Sequence, residues 1–490
     1  MNTVVLGGGF GGIAAALRLR ARGHEVTLID RCPRLGGRAQ VFEHEGYRHD
    51  AGPTVITAPF LFAELFALFG ETLADHVTLK PLDPWYRFRF PDNTHFDYGP
   101  GIERMEAEIA RFNPDDVAGY HGLLAESKAL FDIGFKELGD QPFHRAGFMV
   151  RQVPRLLKLR FDRSVWDMVS SHIQHPYLRR ALSLQPLLVG GNPFDTTCIY
   201  GLIHYLEREW GVHFAMGGTG ALVDALAGLL ERHGVQVENG RSVVALRREG
   251  RQVRSALLDD GRELNAEKFV SNLDPMHLYG ELLDRPPLAS RIKRGLAKTS
   301  MGLFVLYFGT DRQYPDIAHH TIWLGERYKE LLRDIFDRQV LSDDFSLYLH
   351  RPTATDPSFA PDGHDSFYVL APVPNLQADI DWQTEGPRLQ QRIIEALEAS
   401  IMPHLSEHVR APFYMTPEDF RSQYQSVHGS GFSIAPLFRQ SAWFRFHNKA
   451  EGLDNLYLVG AGTHPGAGLP GVVSSAKVLD RLITPPTEAA

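Results

Sequence analysis

The residues with the most legible chemistry stand at the two ends of the chain. Gly7, Gly9 and Gly12 form a G-x-G-x-x-G pattern directly after the apolar run Val4-Val5-Leu6. A stretch of helical spacing from Ile13 to Ala21 follows, and then Val26-Thr27-Leu28-Ile29-Asp30. Strand, tight turn, helix and strand in this order predict a βαβ unit. In such a unit the first glycine permits the turn, the second lets the backbone approach a pyrophosphate, and the third lets helix and strand pack closely. The helix N-terminus offers free N–H groups and partial positive charge to the phosphates. Asp30, at the end of the second strand, supplies a carboxylate that accepts hydrogen bonds from ribose hydroxyls. The constellation predicts nucleotide binding.

NAD and FAD share that fingerprint, and the neighbouring residues discriminate. Arg31 and then Gly36-Gly37-Arg38 set two guanidinium groups and a flexible double glycine beside the expected pyrophosphate. At the other end, the strand-like Leu456-Tyr457-Leu458-Val459 leads into a second glycine-rich turn. That turn opens with Gly460-Ala461-Gly462 and runs through Pro470, Gly471 and Val472 into a helical stretch from Val473 to Leu482. Pro470 suits a helix start, and the positive end of that helix favours hydride acceptance by stabilising the charge a flavin acquires on reduction. Two glycine-rich elements fit a long two-part cofactor, FAD; an NAD enzyme needs only the first. The acid, basic and Gly-Gly-Arg order resembles that of FAD-dependent oxidoreductases with a glutathione-reductase-like nucleotide fold. Asp50-Ala51-Gly52-Pro53-Thr54 resembles the loop that runs past the flavin there, which implies cofactor contact by Pro53 and Thr54.

Other elements must position these residues. Val235 to Leu246, Gln252 to Leu258 and Lys268 to Asn272 read as consecutive strands around the turn Asp259-Asp260-Gly261-Arg262, and return the chain to the nucleotide-binding part. By resemblance Val243 meets the adenine end through its backbone, and Asn272 ends a strand near the cofactor; both are equally ordinary sheet positions. The expected class is α/β. A Rossmann-like FAD-binding fold is assembled from residues 1–99, 231–274 and 431–490. An inserted mixed α+β substrate domain covers 275–430, and a helical substrate- and membrane-facing region covers 100–230.

Composition narrows the function classes. The 490 residues are 43% hydrophobic and 22% charged, which excludes disordered and fibrous chains and predicts more than one structural unit. Fifty-one Lys plus Arg against 59 Asp plus Glu give a net charge of −8, which argues against a nucleic-acid partner. Cys32 and Cys198 lie far apart, so neither a disulfide framework nor a zinc site is expected, and no metal is; this fits a reducing cytoplasm. The Met1-Asn2-Thr3 start carries no secretory signal, and no apolar run is long enough to span a membrane. Residues 144–163 carry six Lys or Arg against one acid, interleaved with apolar residues. That mixture suits an interfacial segment and equally a solvated helix face, which Pro154 would interrupt.

Further motifs are Leu187-Leu188-Val189-Gly190-Gly191-Asn192-Pro193-Phe194, the run from Leu206 to Val212 leading to Gly217-Gly218-Thr219-Gly220-Ala221-Leu222, and Tyr368 to Pro374. With the C-terminal glycine segment they make the chain resemble, over essentially its whole length, the bacterial carotenoid desaturase family. The resemblance implies FAD-dependent desaturation of a long apolar polyene, phytoene, by hydride transfer to flavin N5, giving lycopene or neurosporene. It also implies a cytoplasmic protein held peripherally on a membrane surface, with oxygen or a quinone as electron acceptor.

A hydrocarbon offers no polar handle, so recognition requires a long apolar tunnel. Its candidate lining is Phe131, Phe135, Phe143, Phe148, Trp166, Tyr200, Trp210, Phe214, Phe304 and Phe308. No catalytic constellation stands out. Glu207, Glu209 and His213 read as surface or structural partners and His464 as cofactor packing, so the catalytic group is unassigned. A carotenoid isomerase or another flavin oxidase would share the fold and both glycine turns, differing only in net redox outcome. A non-catalytic prenyl-lipid carrier of the same fold is opposed by the intact glycines, Asp30 and Arg38.

Overall fold

Val4, Val5 and Leu6 are buried, as a strand covered on both faces requires. In the computed structural model, which describes residues 1–485, they belong to the central strand of a five-stranded parallel sheet. Its order is Leu456–Leu458, Lys268–Ser271, Asn2–Leu6, Glu25–Asp30 and Gln236–Asn239. Helices Phe10–Ala21, Gly218–Arg232 and Leu469–Lys477 pack together in the core beside it. Two helices begin earlier than their apolar spacing indicates, at Phe10 rather than Ile13 and at Leu469 rather than Val473. Glycine and proline carry no apolar signal, so periodicity misses a first turn made of them. The second helix stops at Lys477, and Leu479–Leu482 forms a separate short helix.

A seven-stranded sheet forms the second part. Its order is Val409–Met415, Gly302–Thr310, Asp365–Val373, Leu347–His350, His320–Trp323, Tyr86–Arg89 and His95–Tyr98. Every residue of Gly302–Thr310 is buried, because separate apolar clusters cover the two faces of that strand. The hairpin at 86–98 belongs to this sheet, although residues 1–99 read as one nucleotide-binding piece. Its parallel pairing of Thr321 with Arg87 joins distant segments and leaves no local trace in sequence. The strands Val243–Glu249, Gln252–Leu258 and Glu263–Asn265 likewise form a small sheet of their own, and only the flanking strands enter the parallel sheet.

The region between the two parts is helical from Ile102–Phe112 to Leu202–Trp210. Within it, helix Ala146–Lys158 runs through Pro154 instead of being interrupted. Proline lacks the N–H that would bond the carbonyl of Val150, but Val150 is 67% exposed and water can take that bond. Among the described residues no helix is long and apolar enough to cross a membrane.

Candidate active site

Parallel pairing places Leu6 beside Ser271, and Ser271 beside Leu458. The chain therefore leaves three adjacent strands at one edge, through Gly7, Asn272 and Val459-Gly460, the position where open α/β sheets bind ligands. Gly7 has φ +92°, and a Cβ on Gly12 would stand 1.9 Å from the Gly7 carbonyl oxygen. A Cβ on Gly11 or on Gly460 would come within 2.5 Å of Asn272 Oδ1. The two glycine turns, from opposite ends of the chain, thus close around one amide side chain.

A cavity of about 530 Å³ begins at this edge. Gly7, Gly9, Asp30, Arg31, Gly37, Arg38, Pro53, Thr54, Asn272, Ala461, Pro470, Gly471 and Val472 all border it. Gly12, Gly460 and Gly462 stand behind the wall, where close packing explains the absence of side chains; a Cβ on Gly462 would meet Pro275 Cδ at 2.2 Å. Val243 does not reach the cavity. It is buried with Val4 and Ile29, and the wall on that side is formed by Asp30, Arg31 and Cys32.

The electrostatics of this end fit a dinucleotide. Asp30 accepts the Gly8 N–H at Oδ2 (2.5 Å) and the Cys32 N–H at Oδ1 (2.7 Å). Burial pushes its carboxyl above the ordinary value while those bonds oppose the rise. The Arg38 guanidinium is pulled down by burial, with Asp274 opposing. Arg38 donates from Nη2 to Ser426 Oγ (2.5 Å), yet its Nε and Asp274 Oδ2 have no partner among the described residues. The helices starting at Phe10 and Leu469 carry neither a side-chain cap nor an acid in the first turn. The buried Arg38 Nε–H without an acceptor and two uncapped helix N-termini are what an anionic, hydrogen-bonding group would satisfy. These residues fit FAD.

Past Pro53 and Thr54 the same cavity becomes apolar, walled by Leu206, Met301, Leu303, Leu370 and Phe432 among others. Phe135, Phe143 and Tyr200 line it. Phe131, Phe148, Trp166, Trp210, Phe214, Phe304 and Phe308 do not; Phe304, for example, stacks on Tyr414 in the core of the seven-stranded sheet. Aromatic content alone could not tell wall from core. The missed wall residues include Phe161, Phe438 and Phe444, which reach the cavity only because two distant segments meet beside helix Ala146–Lys158.

Glu207 is not at the surface. It is fully buried on the chamber wall, accepts the Tyr86 hydroxyl at Oε1 (2.9 Å) and, among the described residues, leaves Oε2 without a partner. Burial raises its carboxyl to about 7. Glu209 is exposed, and His213 is half-buried away from the wall. His464 does line the cavity, with Nε2 bonded to the Leu138 carbonyl (2.9 Å), and burial lowers it to about 4.

Known proteins place this geometry in context. Residues 10–478 match the family model described as flavin containing amine oxidoreductase. A phytoene desaturase (lycopene-forming) from Pantoea ananas is 48% identical over 478 residues, covering 97% of each chain. A phytoene desaturase (neurosporene-forming) from Cereibacter sphaeroides is 42% identical over 490 residues, covering 98% of this chain and 94% of the relative. Among solved structures, an oxidoreductase from Methanosarcina mazei shares the fold with TM-score 0.68 at 16% identity, covering 98% of this chain and all of the other.

Proposed function

The chain belongs to the flavin containing amine oxidoreductase family, and from that premise we propose that it is an FAD-dependent phytoene desaturase of carotenoid biosynthesis. The observation that carries the reading is one cavity joining the dinucleotide cradle to an apolar chamber. FAD, once bound, supplies the hydride acceptor. The protein's residues do the rest. The chamber wall takes up a hydrocarbon by excluding water, and holds its reacting carbons beside the Pro53–Thr54 loop. Desaturation also releases a proton from the neighbouring carbon, and Glu207 is the group we assign to receive it, a reading supported by its burial on that wall with Oε2 unpartnered among the described residues.

The reading includes a membrane as the source of substrate. Helix Ala146–Lys158 contributes Met149 and Leu156 to the cavity and turns Val150 and Leu157 outward among Arg151, Arg155 and Lys158. Helix Leu288–Leu296 exposes Leu288, Ile292 and Leu296 along one stripe, and its Lys293 bonds the Trp443 carbonyl next to the same region. Basic residues around exposed apolar ones suit an anionic lipid surface. Oxygen or a membrane quinone takes the electrons.

The test is anaerobic incubation of FAD-loaded protein with phytoene-bearing liposomes. Flavin bleaching together with new long-wavelength polyene bands is expected, the band positions counting the double bonds added. Bound flavin with neither signal would overturn the reading.

A further inference from the structure

A second polar centre lies in the seven-stranded sheet, and the hydride chemistry does not use it. His320 starts one strand, His350 ends the next, and the two are directly paired. His319 precedes them in the chain and packs on both, with ring centroids 4.6 Å from His320 and 4.8 Å from His350. All three are buried, and one ligand-capable nitrogen from each lies within 4.8 Å of the other two. Asp50, fully buried, stands beside one of them, with Oδ2 3.7 Å from His350 Nε2.

The surroundings orient these groups as outer-shell partners orient ligands. His319 Nδ1 bonds Thr355 Oγ1 (2.7 Å), and His320 Nδ1 bonds the Tyr348 hydroxyl (2.8 Å). Asp50 Oδ1 accepts the Thr219 N–H (3.0 Å). Among the described residues, the remaining polar atoms of these side chains have no partner: Nε2 of His319 and of His320, both ring nitrogens of His350, and Asp50 Oδ2. Interiors seldom leave such atoms unsatisfied, since each costs about 1–3 kcal/mol. With the Nδ1 positions protonated toward their partners, the unpartnered atoms of His319, His320 and Asp50 are all acceptors. One water has two hydrogens to offer them, whereas a cation can take every lone pair.

We propose that His319, His320, His350 and Asp50 bind one divalent transition-metal ion of the zinc class. Three imidazoles and a carboxylate are a borderline donor set that suits tetrahedral coordination. Nitrogens at most 4.8 Å apart lie within about 2.8 Å of a common centre, so they close to the usual ~2.1 Å by side-chain shifts under about 1 Å. The ion's role is positional. Tyr348, which orients His320, also bonds Thr54 Oγ1 (2.7 Å) on the flavin-side loop, and Asp50 begins that loop. The metal would pin the loop to the substrate sheet.

The metal content of FAD-loaded protein, expressed with zinc available and passed over a chelating resin, decides the matter. About one equivalent is expected in the wild type, falling at least fivefold in His319→Ala and in Asp50→Asn while flavin stays bound. Because removing a buried side chain can unfold the protein, the wild-type chain is also refolded with FAD and Co²⁺. Ligand-field bands to the red of the flavin absorption are expected. Wild-type protein that binds FAD, holds less than about a tenth of an equivalent of any transition metal and shows no Co²⁺ bands would overturn the proposal, leaving ordered water as the occupant.

Discussion

The two ends of the cavity are built differently. At the nucleotide end the wall is backbone, held open by glycines and by Asn272, and its ligands are N–H groups at helix starts and strand ends. At the chamber end the wall is side chains from segments as far apart as Phe135 and Phe444, and its chemistry rests on shape and on one buried acid. A backbone wall tolerates almost no substitution but is written in short motifs. A side-chain wall tolerates much and is written nowhere locally.

If that contrast holds, Gly12→Val should have the largest effect, because its Cβ would stand 1.9 Å from the Gly7 carbonyl oxygen. Flavin content of the purified protein, read from its visible absorbance, should fall below about a tenth of wild type. A Gly12→Val protein that retains full flavin would break the comparison.

Glu207→Gln probes the chamber's acid. Desaturation should slow about 100-fold with flavin content unchanged. The same variant should change stability against pH. The folded carboxyl is raised to about 7 from an ordinary value of 4.5, so its contribution to stability is full below about pH 4.5 and is lost as pH rises through 7. Wild type should therefore lose about 3 kcal/mol from this group across that window, and Glu207→Gln should lose none of it. Denaturant melts at pH 4.5 and 7.5 measure the difference.

Arg38→Met should weaken FAD binding about tenfold, since a buried guanidinium with an unpartnered Nε is lost while the glycine cradle remains. Fluorescence titration of apoprotein with FAD checks it. The smallest effect belongs to Leu157→Asp, on the exposed face of helix Ala146–Lys158. Liposome flotation should fall several-fold, while folding stability moves by less than about 0.5 kcal/mol. Unchanged flotation would remove this helix from the proposed membrane contact.

Legibility followed the same division. The βαβ unit, Asp30, the Gly-Gly-Arg step and the second glycine turn could be read directly, because each property is fixed within a few consecutive residues by backbone sterics. Glu207 was visible in sequence but not its burial: its helix turns it inward against Tyr86, a neighbour supplied by a hairpin that joins the other sheet. The three histidines give no spacing signal, since two adjacent residues and one thirty positions on meet through strand pairing.

By itself, then, the sequence determined a dinucleotide fold at its ends and an acidic chain, set by local geometry and composition, and it carried motifs that resemble a known family. Tertiary structure decided which aromatics are wall rather than core, that 86–98 belongs to the substrate sheet, that Val243 stands away from the cavity, and that Glu207 is a buried acid. Those properties arise from pairing and burial between distant segments, and such contacts are selected by the whole fold's packing rather than by any residue's neighbours in the chain.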